Sequence, residues 1–152
     1  MQSPQRKFKD VLEKDGLWSA MRWLNSTVPY RYSAVLAFEG DTLRNICLID
    51  KAVASITTCD SQPITQFYCT YIHQTSARFD VEDASHDARV EGHPKRTAFQ
   101  SYYGIPLYDA AGVLRGTVCH FDVGATRPTA EIAEVLDDVA PSIAQAAFTE
   151  QQ

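Results

Sequence analysis

Apolar residues recur at helical spacing near both ends of the chain. In the first stretch, Phe8, Val11 and Leu12 share one face and predict a helix over about 6–25, with a break near Gly16. The last stretch, about 129–149, has one apolar stripe made of Ile132, Val135, Leu136, Val139 and Ile143. We expect Thr129 to cap this last helix and Pro141 to kink or divide it, because proline lacks a backbone donor.

Between these helices, shorter apolar runs are typical of β-strands. The predicted strands cover 30–38, 42–50, 79–81, 98–108 and 113–121. Pro63 begins a predicted helix over 64–73, and the polar stretch 82–96 is interpreted as a long, partly ordered loop. Strands that pair mostly with chain neighbours, with helices at both ends, predict an α+β fold around an antiparallel sheet.

Length and charge narrow the class of protein. The 152 residues fit one domain, 1–152, with its core at about 18–143. The net charge of -5 argues against a nucleic-acid partner. No apolar run approaches the roughly 18 residues that a membrane helix needs, and the first residues show no signal peptide. We therefore expect a cytoplasmic protein with no membrane partner, whose four cysteines are reduced.

Candidate binding residues cluster in the middle of the chain. Cys69 and His73 are spaced to share one face of the predicted helix, where such a pair binds metal or activates a thiolate, although a half-buried helix face explains the spacing as well. The polar loop contributes two carboxylates, a guanidinium and an imidazole, a set suited to a small polar ligand, although a solvated loop whose Asp side chains cap turns explains them as well: Asp83, Asp87, Arg89 and His93. Tyr103 is a candidate aromatic wall. Phosphate-loop, nucleophile-elbow and metalloprotease motifs are absent from the sequence, and we predict no metal site.

Two stretches near the end of the chain carry a family resemblance. Residues 101–109, SYYGIPLYD, and 112–122, GVLRGTVCHFD, resemble the late signature of GAF domains, which has an apolar-Pro-Leu step, a turn with Gly, and Gly-Thr-aliphatic-Cys followed by Asp. Similarity in 67–71, 79–84 and 93–94 extends the resemblance over about 18–143. It implies a GAF (PAS-like) fold, with the terminal helices on one face of the sheet and a pocket-covering helix and loop on the other.

The resemblance also implies a function. We expect a sensory or regulatory domain that binds an unidentified small molecule, with no cofactor assigned, and signals through a partner or a homodimer formed by the terminal helices. One alternative is a cysteine-dependent redox enzyme resembling free methionine-R-sulfoxide reductase, which would use Cys69 and Cys59; the third cysteine expected in the loop is absent. Another is a protein-interaction module with a filled, ligand-free core. Apart from the redox alternative, no residue is predicted to be catalytic.

Overall fold

Six antiparallel strands form one curled sheet in the computed structural model, which describes residues 2–53, 55 and 61–148. The strands are β1 (Tyr32–Glu39), β2 (Thr42–Asp50), β3 (Gln62–Pro63), β4 (Phe79–Val81), β5 (Ser101–Tyr108) and β6 (Leu114–Asp122). Their order is β3-β2-β1-β6-β5-β4, so β1 and β6 lie side by side at the centre. The predicted antiparallel sheet is confirmed, and the short edge strand β3 is an addition to it.

The described residues form four α-helices, which are α1 (Pro4–Asp15), α2 (Leu17–Ser26), α3 (Cys69–Thr75) and α4 (Ala130–Phe148). Gly16 separates α1 from α2 at φ 92°, a conformation that favours glycine. The predicted N-terminal helix is therefore two helices, with the break where the sequence predicted it. No helix in the described part of the chain is both long and apolar enough to cross a bilayer.

The last helix begins as the sequence predicts and continues through Pro141. Thr129 Oγ1 accepts a hydrogen bond from the Ile132 backbone N–H at 3.2 Å, as a helix cap does. Pro141 lies inside α4 without dividing it. Val139 and Ile143 are buried on either side of the proline, and their packing against the sheet holds the helix together through the missing hydrogen bond.

The middle of the chain is less regular than predicted. Instead of one helix over 64–73, a 3-10 turn (Ile64–Gln66) is followed by extended Phe67, and α3 starts at Cys69. Phe67 is buried, and its extended backbone turns the ring into the interior. The predicted loop 82–96 contains two 3-10 turns, at Ala84–His86 and Ala88–Val90.

The sheet separates two cores. One face, called the helix face, packs against α1, α2 and α4. The other, called the ring face, packs against α3 and the segment that follows it. Because neighbouring residues of a strand point to opposite faces, Tyr102 lies on the ring face and Tyr103 on the helix face. This arrangement of helices and sheet is the one that the sequence predicted.

Candidate functional site

Cys69 is the first residue of α3 and lies in the interior of the ring face. Its side chain is fully buried, and Sγ lies 3.2 Å from Tyr102 Oη and 3.2 Å from Thr117 Oγ1. The Tyr102 ring lies over Gly104, where a Cβ would collide with the ring. The predicted ligand-binding thiol is therefore held among packed side chains of the sheet.

Cys69 and Cys119 shift each other's pKa in this interior. Burial acts to raise the pKa of Cys69, but hydrogen bonds with Cys119, Thr117 and Tyr102 outweigh it, and the net effect is a lowered pKa. Burial and the hydrogen bond with Cys69 raise the pKa of Cys119 well above its ordinary value. Cys69 is thus the thiol of the pair that loses its proton first.

Aromatic rings fill the space between α3 and the sheet. The Phe67 ring meets Tyr102 and Phe121 edge-on, with centroid distances of 5.5 Å and 4.9 Å. Tyr68 Oη donates a hydrogen bond to the Phe99 carbonyl oxygen at 2.8 Å. The two surface depressions described below are lined by neither Cys69 nor Tyr102. The space in which the resemblance implies a ligand pocket is occupied by side chains.

His73 lies one turn after Cys69 but on the surface. Its exposed ring packs edge-on against Phe38, with centroids 4.8 Å apart. Cys69 directs its sulfur to the sheet, so the predicted pair is not joined by a hydrogen bond. The two residues are one helical turn apart, but Cys69 is buried and His73 is exposed.

Three of the predicted binding residues come together at the end of β4. A depression of about 310 Å³ is lined by Asp80, Glu82, Asp83, His86, Asp87 and Arg89, and is called the acidic depression below. Two features position these side chains: β4 carries Asp80 to the sheet edge, and the two 3-10 turns fold the following residues beside it. The structure thus brings Asp83, Asp87 and Arg89 together at one depression. Whether they bind a ligand stays a prediction.

Arg89 is already neutralised within the acidic depression. Its Nε and Nη2 donate to the two carboxylate oxygens of Asp87 at 3.0 Å and 2.7 Å. Nη2 also donates to the Asp80 carbonyl oxygen at 2.6 Å, and the guanidinium lies over the Phe79 ring. The hydrogen bond with Arg89 lowers the pKa of Asp87. Arg89 therefore shapes the depression and has little charge left for an anionic ligand.

The other carboxylates leave an excess of negative charge. Asp83 accepts a hydrogen bond from Ser85 Oγ at 2.7 Å and lies 2.9 Å from His86 Nδ1; these two hydrogen bonds lower its pKa. Glu82 lies 3.3 Å from Arg127 Nε. Within the described residues, the Asp80 carboxylate has no hydrogen-bond or ion-pair partner. The free carboxylate makes the depression suited to a cationic group.

His93 lies apart from the acidic depression and fastens the loop to α3. Its Nδ1 accepts from the Lys95 backbone N–H at 3.0 Å, so Nε2 carries the proton and donates to the Phe67 carbonyl oxygen at 3.1 Å. The ring packs against Tyr68 and Tyr71. Burial lowers the pKa of His93, which keeps this donor and acceptor arrangement at neutral pH.

Tyr103 lies on the helix face, opposite Cys69. Its hydroxyl accepts from Arg78 Nη1 at 2.6 Å, and Arg78 Nη2 pairs with Asp137 of α4 at 3.1 Å. The structure therefore does not bring Tyr103 together with the other predicted binding residues. Cys59 lies outside the described residues.

Sequence reasoning did not single out Asp80, Glu82 and His86. A signal for two of them was present, because Asp80 and Glu82 alternate with apolar Phe79 and Val81 and so share the outward side of a strand. Among the described residues, no three His, Cys, Asp or Glu side chains are grouped in a way that would hold a metal ion.

No protein-family model and no curated protein matches the sequence. Solved structures do match over nearly the whole chain. The GAF domain from an Acinetobacter phosphoenolpyruvate-protein phosphotransferase has a TM-score of 0.79 at 9% identity, covering 99% of this chain and 97% of that one. The phycocyanobilin-bound GAF domain from a cyanobacterial phytochrome has a TM-score of 0.70 at 11% identity, with 98% and 96% covered.

Enzymes of the same architecture also match. The type II free methionine-R-sulfoxide reductase from Thermoplasma acidophilum has a TM-score of 0.68 at 12% identity, covering 97% of this chain and 96% of that one. At such identities the likeness concerns the fold. The chain has the α+β fold of GAF domains, as the resemblance predicted.

Proposed function

We propose that the chain is a regulatory domain of the GAF fold that binds a small cationic molecule at the acidic depression. The observation that carries this proposal is the Asp80 carboxylate, which accepts no hydrogen bond and forms no ion pair among the described residues and lies in a concave site beside Glu82. A ligand ammonium group would supply the missing donor. The similarity to a GAF domain that holds phycocyanobilin supports small-molecule binding as a use of this fold.

Arg78 supports a regulatory output. It directly precedes β4, which carries Asp80, and it bonds both to Tyr103 and to Asp137 of α4. A ligand that shifts β4 therefore changes a contact with the C-terminal helix. This chain of contacts is a route by which occupancy of the depression reaches the helix face.

A homodimer through the terminal helices stays a prediction. The buried stripe of α4 packs against the sheet, and Phe8 of α1 is buried in the same core. The exposed large apolar side chains among the described residues lie elsewhere, at Val53, Tyr108, Val113 and Val123. A dimer of the helices would therefore depend on their polar outer surfaces.

Calorimetric titration with putrescine, a four-carbon diamine, tests the binding site. We expect putrescine to bind and 1,4-butanediol, which has the same length, to show no binding. Asp80→Asn should lower the affinity for putrescine by at least about tenfold, because an unpaired carboxylate would be lost. Glu134→Gln removes one charge from the exposed side of α4 and serves as the control. Equal affinity in Asp80→Asn and Glu134→Gln would refute the site.

A protein-interaction module is a second candidate. The ring face favours it, because packed side chains of the described residues fill the interior around Cys69. This candidate predicts that neither putrescine nor any co-purifying small molecule binds, which native mass spectrometry beside a denatured run would reveal.

The reductase alternative is favoured by the Tyr102 and Thr117 hydroxyls, each 3.2 Å from Cys69 Sγ, whose hydrogen bonds act to lower the pKa of this thiol. Full burial of that thiol opposes access by a dissolved substrate. Turnover of free methionine-R-sulfoxide that is lost in Cys69→Ser would establish the alternative.

A further inference from the structure

A second pocket lies on the helix face, away from the acidic depression. It has a volume of about 200 Å³ and lies where the end of α2 approaches the start of α4. Its wall is mainly apolar and includes Leu24, Val28, Pro29, Ile132 and Val135. Thr27, Thr129 and Glu131 also line it, and so does one buried polar side chain, His120 of β6. We call this the His120 pocket.

His120 is held rigidly at this pocket. Its side chain is 1% exposed, and the ring stacks on Tyr30 with centroids 5.7 Å apart and planes at 16°. Nδ1 lies 2.6 Å from Ser33 Oγ, on the neighbouring central strand. Within the described part of the chain, Nε2 has no hydrogen-bond partner. It is the remaining polar atom of a ring that lines the pocket.

The hydrogen-bond network assigns the proton of this imidazole. Asn25 Nδ2 donates to Ser33 Oγ at 2.8 Å, so the Ser33 hydroxyl acts there as an acceptor. Among the described residues, the only acceptor for the hydroxyl proton is His120 Nδ1. An imidazole that accepts at Nδ1 carries its proton at Nε2. Burial, with a smaller contribution from Lys51, lowers the pKa of His120 to about 3, which keeps the ring neutral.

These features select a ligand chemistry. A cavity of roughly 150 Å³ in another protein is large enough for benzene, so the His120 pocket has room for one ring with a short substituent. A neutral imidazole offers no charge to an anion, and the Glu131 carboxylate lies at the same pocket. The polar group of the buried His120 side chain is a donor, which an ammonium ion does not satisfy. The matching ligand is uncharged and has one acceptor.

We propose that the His120 pocket binds a small, uncharged, mainly apolar molecule whose carbonyl oxygen accepts a hydrogen bond from His120 Nε2–H. A concave apolar site with one placed polar group is the usual form of a small-molecule site. This site is separate from the acidic depression, because the two share no lining residue.

Nitrogen-15 NMR of the histidine rings, with acetophenone as the probe, tests the proposal. Cumene has nearly the same shape as acetophenone but lacks the carbonyl oxygen. We expect acetophenone to shift the Nε2–H signal of His120, to leave His73, His86 and His93 unchanged, and to bind about tenfold more tightly than cumene, as expected for a buried donor that is left unpaired without it.

The same spectra can also overturn the proposal. The proposal is overturned if His120 carries its proton on Nδ1, if 10 mM acetophenone leaves its signals unchanged, or if cumene binds equally well. His120→Phe keeps a ring but removes the donor, and it should abolish the preference for acetophenone. Since that variant also removes the Nδ1 partner of Ser33, the wild-type spectra decide the matter alone. Putrescine should leave the His120 signals unchanged, so failure at either site is distinguishable.

Discussion

The two faces of the sheet are built from adjacent residues of the same strands, yet their polar groups are satisfied differently. On the ring face, the Cys69 sulfur has partners on two strands, and aromatic rings pack around it. On the helix face, His120 is hydrogen-bonded at Nδ1 alone among the described residues and lines a pocket. Closed networks specify a packed core, whereas an incomplete one marks a place for a ligand.

The largest expected effect comes from the core under α4. Leu136 is fully buried between α4 and the sheet, and Leu136→Ala should lower the free energy of unfolding by about 2–5 kcal/mol, because a cavity replaces the side chain. Urea unfolding followed by circular dichroism measures the loss. Glu134→Gln, on the exposed side of the same helix, should change stability by less than about 0.5 kcal/mol. A loss below about 1 kcal/mol in Leu136→Ala would mean that α4 is not held by this core.

His120 should make stability depend on pH. Its pKa is lowered from 6.5 to about 3 in the folded protein, so the unfolded chain binds a proton first as the pH falls. The contribution of the neutral His120 ring to the free energy of unfolding is fully present above pH 6.5. It is lost as the pH falls towards 3, at up to about 1.4 kcal/mol per pH unit. The measurement is urea unfolding at pH 7 and pH 4.5 for the wild type and His120→Phe.

In that experiment the wild type should lose more stability between the two pH values than His120→Phe. His73→Gln, which alters an exposed ring beside Phe38, is the control and should follow the wild type. Parallel losses in the wild type and His120→Phe would contradict the assignment of a buried neutral imidazole.

The sulfur network of the ring face should have a smaller effect. Tyr102→Phe removes the hydroxyl that lies 3.2 Å from Cys69 Sγ and should cost about 1 kcal/mol of unfolding free energy. Tyr108→Phe is the matched control, because the Tyr108 hydroxyl bonds to the Ser76 carbonyl oxygen on the surface. If the two variants lose the same stability, the buried network has no special role.

The smallest effect is expected at the acidic depression. The Arg89–Asp87 ion pair is partly exposed, so Asp87→Asn should cost no more than about 1 kcal/mol, and added salt should reduce the difference. Thermal unfolding at low and high salt measures it. A loss of several kcal/mol would show that the depression is a structural support of the fold.

The sequence predicted the outline of the fold because its main signals are local. Alternation in 101–108 and 114–122 fixes which side chains share a face. Gly16 marks a helix end through its backbone conformation, and Thr129 marks a helix start through its side-chain hydroxyl. The short strand β3 depends on pairing with β2, and the late start of α3 accompanies the burial of Phe67. Periodicity over a few residues does not reveal contacts between residues that are far apart in the sequence.

The candidate site was predicted in part for the same reason. Asp83, Asp87 and Arg89 are close in sequence, so a compact loop gathers them. Cys69 and Tyr103 were assigned to one pocket although the sheet separates them. The His120 pocket joins residues from both ends of the chain, which a single sequence does not reveal.

The central claim is that the acidic depression binds a small cation. The most direct measurement is an NMR map of backbone amide shifts during titration of the wild-type protein with putrescine. The account predicts that residues 80–89 shift first and saturate together, that the effect then reaches α4 near Asp137, and that 1,4-butanediol produces neither change. Shifts centred outside residues 80–89, or none, would contradict it.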